Sequence, residues 1–280
     1  MAKKALLVGI NDYKSISDLK GCVNDVTNMR SILKSYFNFS NTNVRVLLDS
    51  RATKQGILDR LQWLTSGAKT GDFLFFHYSG HGSQIRDRGL KDELSDNMDE
   101  LICPYDMDWN GTFITDDDLN AIFSKLPKGV LLEVVMDSCH SGTVLRDADL
   151  GRPPELGPTH ESRPRFLPPP LDVVCRHEGE EDQLKPTKRI MRRGEAVHHI
   201  LWAGCKDSQT SADAYIGGSY NGAFTYYFCK HIRDSNNTLS RTDLLKRIRD
   251  SLRYNSYSQV PQLECEATVR TARALTSKEK

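Results

Sequence analysis

Val130-Leu131-Leu132-Glu133-Val134-Val135-Met136-Asp137-Ser138-Cys139-His140-Ser141-Gly142 decides the fold. The apolar, β-branched run from Val130 to Met136 reads as a buried strand of an α/β sheet. It stops at Asp137, and Cys139 lies just past its end, where open α/β sheets carry their chemistry. A second stretch has the same form: the strand Phe73-Leu74-Phe75-Phe76-His77-Tyr78 runs into Ser79-Gly80-His81-Gly82. Two parallel strands with a cysteine at one tip and a histidine at the other point to a Cys-His pair. A neighbouring histidine raises the thiolate fraction of a cysteine and makes it nucleophilic at neutral pH. The glycines flanking His81 remove Cβ atoms where a substrate backbone would pass.

Outward from these strands, the chain alternates strand and helix. Leu6-Leu7-Val8-Gly9-Ile10 reads as the first strand, its apolar run too short for a signal peptide. Val26, Met29, Leu33 and Phe37 recur at helical spacing, with Asn24 or Asp25 as N-cap. Asn43 to Leu48 is a second strand, and Thr53 opens a helix bearing Ile57, Leu58, Leu61 and Leu64. Residues 87 to 106 read as a loop or hairpin beside the site. Thr115-Asp116-Asp117-Asp118 then precedes a short helix. After the Cys139 strand come a strand near Ala196–Ala203, helices around Phe224–Ile232 and Leu244–Leu252, and a short strand near Pro261–Cys265. Such alternation implies right-handed crossovers and a mainly parallel sheet.

Between Arg146 and Arg193 the composition changes. Prolines remove backbone donors, apolar periodicity vanishes and basic residues crowd in, so residues 146–195 read as an exposed, disordered linker. The chain thus divides into residues 1–145, this linker, and residues 196–280 completing the sheet: one domain in two sequence blocks.

The motifs His77-Tyr78-Ser79-Gly80-His81-Gly82-Ser83-Gln84 and Asp137-Ser138-Cys139-His140-Ser141-Gly142 resemble those of the metacaspases, relatives of the caspases. Residues 203–213 and 222–225 are similar to the metacaspase small-subunit region. The resemblance implies a caspase-like fold, a six-stranded sheet flanked by helices. It also implies a cysteine endopeptidase that cuts after Arg or Lys. In that reading Cys139 attacks the carbonyl carbon, and His81 protonates the leaving amine and later activates water. The backbone N–H groups of Gly82 and Cys139 are candidates for the oxyanion hole. His140 is a rival base by proximity, but adjacent residues at a strand end diverge.

Asp137, two residues before the nucleophile, lies on the same side of an extended chain as Cys139, and Asp25 opens onto the same end of the sheet. Such a carboxylate pair suits a cationic side chain and rejects an acidic one. By resemblance the pocket residues fall on Cys22, Asp25, Ser79 and Asp137. The family's calcium aspartates fall on Asp99, Asp116 and Asp117, which makes calcium a candidate activator although the chemistry requires no cofactor. Arg146 departs from the family pattern, holding a cation where some members have an acidic residue, unless Asp147 substitutes. A basic-specific protease with an arginine-studded linker is expected to process itself there. Arg146, Arg165, Arg176, Lys188, Arg189, Arg192 and Arg193 are the candidate sites. Arg152 and Arg163, each followed by proline, are expected to resist.

A net charge of +1 gives no footprint for nucleic acid or acidic lipid. No apolar run is long enough to span a bilayer. Seven cysteines without pairing rhythm fit a reducing compartment. The expectation is a cytoplasmic monomer whose partners are peptide substrates. Three rivals remain: a non-catalytic scaffold of the same fold, a protease cutting after asparagine, and a metallohydrolase using His77 and His81. The last places those histidines roughly 13 Å apart on a strand, too far for one zinc.

Overall fold

The computed structural model describes residues 1–86, 98–139, 162–174, 199–206 and 209–274. Its centre is a six-stranded sheet in the order β12-β9-β7-β3-β1-β2. The strands are β1 (Lys3–Gly9), β2 (Val44–Leu48), β3 (Phe73–Ser79), β7 (Leu131–Asp137), β9 (His199–Ala203) and β12 (Gln262–Glu264). The first five run parallel, and β12 closes the edge antiparallel to β9. Both sequence blocks therefore share one sheet, since β9 and β12 come from the second.

Strand alternation sends neighbouring side chains to opposite faces. Ala5, Leu7, Phe73, Phe75, Val135, Ile200 and Trp202 pack against α1 (Cys22–Phe37), α4 (Ala223–Asp234) and α5 (Arg241–Tyr254). Leu6, Val8, Leu74, Phe76, Leu132 and Val134 pack on the other face with α2 (Lys54–Thr65) and Phe123 of α3 (Asp116–Phe123). Thus β1, β3 and β7 are apolar on both faces, as an interior strand of a covered parallel sheet must be. Buried polar pairs interrupt that core, among them Glu133 of β7, which pairs with Arg241 of α5 at 2.9 Å and accepts from the Trp202 indole at 2.7 Å.

Two smaller sheets stand at the carboxyl ends of the strands. One joins β4 (Gly82–Arg86), β5 (Met98–Ile102) and β6 (Ile114–Thr115), so the expected hairpin after His81 is a three-stranded unit. The other joins β8 (Arg163–Pro164), β10 (Ala212–Ile216) and β11 (Ser219–Gly222). The β10–β11 turn uses Gly217 and Gly218, both at positive φ, as a tight hairpin requires.

One cap differs from the sequence expectation. Helix α1 starts at Cys22 with Gly21 as N-cap and no side-chain cap. Asn11 accepts from the Cys22 N–H at 2.8 Å instead, so neither Asn24 nor Asp25 caps the helix. Asp25 is thereby left to face the sheet end. At α3, Thr115 and Asp118 form a capping box, which leaves Asp116 and Asp117 outside that role.

The proline-rich segment also differs. Residues 162–174, expected as part of a disordered tether, form β8 and a helical turn over 171–174. Arg165 within them is fully buried. The rest of 146–195 lies outside the described residues.

Candidate active site

The parallel register sets the site. Gly9 of β1 is level with Ser79 of β3, and Ser79 is level with Asp137 of β7. Two residues beyond those level positions stand His81 and Cys139, so the strand tips bring the two motifs to one end of the sheet.

His81 is held by its backbone. Its N–H donates to the Tyr13 hydroxyl at 2.8 Å, and its carbonyl accepts from the Cys103 N–H at 3.0 Å. A Cβ on Gly80 would stand 2.6 Å from the Tyr78 hydroxyl and 2.7 Å from that of Tyr13, so glycine is required there. The His81 Nε2 lies 2.9 Å from the Ser17 carbonyl. A carbonyl only accepts, so Nε2 carries the proton and Nδ1 holds a lone pair. Nδ1 has no hydrogen-bond partner among the described residues. Burial, above all, pushes the His81 pKa down to about 4, so the ring is neutral at pH 7 with a free basic nitrogen.

Cys139 is fully buried, and its Sγ lies 3.6 Å from the Ser211 carbonyl and against the Ser211 N–H. His140 lies outside the described residues. His77 is not at this site: it points into the core, with Nε2 3.5 Å from the Thr225 hydroxyl. Burial pushes its pKa down to about 3. Among the described residues no group of three His, Cys, Asp or Glu side chains could hold a metal ion.

Beside Cys139 is an acidic pocket, and Arg165 fills it. Its Nη2 donates to Asp25 at 2.8 Å and to Asp213 at 3.1 Å. Nη1 donates to Ser79 Oγ at 2.9 Å and to the Asp137 carbonyl at 3.1 Å, and lies 3.2 Å from the Asp137 carboxylate. All four charged side chains are 0% exposed. Cys22, also buried, opens α1, and burial pushes its thiol pKa up despite the opposing pull of the Arg165 cation.

Each carboxylate is fixed by donors from another element. Gly222 N–H donates to Asp25 at 2.9 Å, and Thr225 N–H to Asp137 at 2.9 Å. Lys20 and Gly21 N–H groups donate to Asp213 at 2.7 and 2.8 Å. Burial raises the Asp25 pKa to about 7, outweighing the Arg165 cation that lowers it, and Asp137 adds repulsion.

Comparisons with known proteins give the family. Residues 3–148 match the family model described as metacaspase, peptidase C14 domain. The chain is 36% identical to Metacaspase-1 of Coccidioides immitis over 94% of its own length and 61% of the relative's. To Metacaspase-1A of Aspergillus fumigatus it is 37% identical, again over 94% of this chain and 68% of the relative. This chain belongs to the metacaspase family. Metacaspases are cysteine-type peptidases. The chain spans less than two thirds of the Coccidioides metacaspase. Among solved structures, a protein from Geobacter sulfurreducens superposes with a TM-score of 0.73 at 25% identity, over 99% of both chains. Caspase-1 from Spodoptera frugiperda superposes with a TM-score of 0.56 at 14% identity, over 94% of this chain and 86% of that one, a likeness of fold alone.

The structure brings His81, Cys139, Cys22, Asp25, Ser79, Asp137 and Gly82 to one end of the sheet. Asp99, Asp116 and Asp117 stand apart, around β5 and the start of α3. Sequence reasoning missed Asp213 as a pocket residue, although it closes the small-subunit-like stretch. It also missed Arg165 as a group buried in the pocket.

The state of His81 is directly measurable. Imidazole NMR is expected to show the Nε2–H tautomer, titrating near pH 4. A midpoint near the ordinary histidine value of about 6.5 would contradict the geometry.

Proposed function

We propose that this metacaspase is an endopeptidase that cuts after Arg or Lys with a Cys139–His81 dyad and processes itself in its linker. The observation that carries the reading is the Arg165 guanidinium seated between Asp25, Asp137 and Asp213 beside Cys139. Three fixed carboxylates suit a cationic side chain and exclude an acidic one.

In the reaction, the Cys139 thiol loses its proton to Nδ1 of neutral His81, and Sγ attacks the scissile carbonyl carbon. The imidazolium returns the proton to the amine as the C–N bond breaks, leaving a thioester. His81 then takes a proton from water, whose oxygen displaces the thiolate. The Gly82 N–H, already donating 2.9 Å to a peptide carbonyl, is one oxyanion donor. The Cys139 N–H is assigned as the second.

Cys139→Ala is expected to abolish hydrolysis with the fold intact. A variant as active as the parent would rule out Cys139 as the nucleophile. Asp137→Ala removes a charge-assisted partner of the substrate cation, which costs about 1.5–3 kcal/mol, or roughly ten- to hundred-fold in kcat/KM for an Arg peptide. Unchanged kcat/KM would refute the pocket assignment. Protonating Asp25 removes a negative charge from the pocket it shares with Asp137, Asp213 and Arg165. KM for an Arg peptide is therefore expected to rise as pH falls through about 7, with a pH-independent KM between 8 and 6 as the contrary result.

We also propose calcium as an activator drawn by the charge of Asp99, Asp116 and Asp117, without a preformed three-ligand cage among the described residues. When bound, it would neutralise the charge of these carboxylates. The support is electrostatic. The buried Asp116 Oδ1 lacks a hydrogen-bond partner among the described residues. Burial, then the Asp99 and Asp117 charges, raise the Asp116 pKa to about 7. Hard oxygen ligands of this kind suit calcium. Millimolar calcium is expected to raise activity, and Asp116→Asn to remove the response. Full activity in excess chelator would reject the proposal.

A further inference from the structure

Residues 163–167 lie across the site as a substrate would. Arg163–Pro164 pairs antiparallel with β10, opposite Asp213 and Ala212. The Arg165 N–H donates to the Ser211 carbonyl at 3.1 Å, while the Arg165 carbonyl accepts from the Gly82 N–H at 2.9 Å. Beyond it, the Leu167 N–H donates to the Gly82 carbonyl at 2.9 Å. Ser83 Oγ donates to the Leu167 carbonyl at 2.5 Å. The segment is thus held on both sides of the Arg165–Phe166 bond. Its side chain fills the acidic pocket, and its carbonyl rests on the donor assigned to the oxyanion hole. Ser211, which binds the Arg165 N–H, also contacts the Cys139 sulfur.

We propose that Arg165–Phe166 is the bond the chain cuts in itself, and that until it is cut Arg165 blocks the pocket against other substrates. The inference rests on the basic-specific peptidase reading and adds to it the bond, the register and the inhibition. Cys139 Sγ bonds to the Arg165 carbonyl carbon, and the bond to the Phe166 nitrogen breaks. That nitrogen takes the proton from His81 and becomes a new amino terminus. Water then cleaves the thioester, leaving an Arg165 carboxylate and a regenerated Cys139. Among the described residues Arg165 is the basic residue that reaches the pocket, and Arg163 is exposed and precedes a proline. The register assigns Pro164 and Arg163 to the subsites before the cut, and Phe166 and Leu167 to those after it.

Two substitutions separate cutting from blocking. Arg165→Ala empties the pocket and removes the cleavage residue. Phe166→Pro keeps Arg165 seated but makes the scissile amide tertiary, which resists attack. The Phe166 N–H makes no backbone hydrogen bond to the described residues that the substitution would break.

The test is intact-mass analysis of the full chain, with initial rates on a small Arg-amide peptide. The parent is expected to yield fragments ending at Arg165 and starting at Phe166, at a rate independent of protein concentration. Arg165→Ala is expected to stay uncut at this bond yet hydrolyse the peptide from the first time point. Phe166→Pro should stay uncut and be slower by about tenfold or more, because only the fraction of chains with a vacant pocket binds. The double variant Arg165→Ala/Phe166→Pro should regain the rate, which excludes misfolding as the cause of the Phe166→Pro loss. Processing at another bond with Arg165–Phe166 intact, or an uncut Phe166→Pro chain as fast as Arg165→Ala, would overturn the proposal while leaving the basic specificity standing. Failure of every variant on Arg and Lys peptides, with Cys139-dependent cleavage of others, would overturn both.

Discussion

Three carboxylates share one guanidinium in the absence of solvent, and the arrangement at the end of the sheet depends on that. Taking each ion out of water costs several kcal/mol, recovered only through close, well-oriented partners. The site meets this with the Arg165 fork and with backbone N–H groups from two separate segments, the turn before α1 and the start of α4. The cost appears at Asp25, where burial first and the Asp137 charge second outweigh the Arg165 cation and raise the pKa to about 7. The pocket is therefore selective through cost. A side chain that brings no positive charge leaves buried carboxylates uncompensated.

The same constraint ties the sequence together. Asp25 comes from α1, Asp137 from the end of β7 and Asp213 from β10, while Arg165 comes from the segment between the two blocks. Gly222 shows how tightly they meet: a Cβ there would stand 2.7 Å from the Asp25 carboxylate and would also collide with Asp137 and Arg165. The sheet supplies the rigidity behind this. Level ends of β1, β3 and β7 come from a fixed parallel register, and their side chains are buried on both faces. Loops at such an end can carry chemistry because the scaffold beneath them does not move.

Much of this was legible in the sequence. The six central strands, helices α1, α2, α4 and α5, and the placement of His81 and Cys139 at neighbouring strand tips follow from periodicity and from abrupt strand ends. Asp25 was readable as a pocket residue only through family resemblance, because its local pattern equally fits a helix cap. The structure shows the cap role taken by Asn11 from another loop. Asp213 gave no local signal, since its role depends on β10 folding back over residues far upstream. The Gly217-Gly218 pair was the one available clue to that hairpin. Arg165 was hidden by its surroundings. A proline-rich, basic composition describes a solvated segment on average, whereas the burial of one arginine depends on a cavity built by distant residues.

The shape of the pocket makes a finer demand than charge alone. Nη1 and Nη2 of Arg165 both find acceptors on separate groups, while Nε has no partner among the described residues. A planar fork reaches these acceptors together, and a lysine ammonium reaches fewer of them from one point. The most direct measurement is the residue preference before the scissile bond, read by mass spectrometry from a peptide library digested with the Cys139-intact chain. The account predicts Arg first, Lys second, and acidic residues excluded. A preference for Asp or Asn at that position would contradict it.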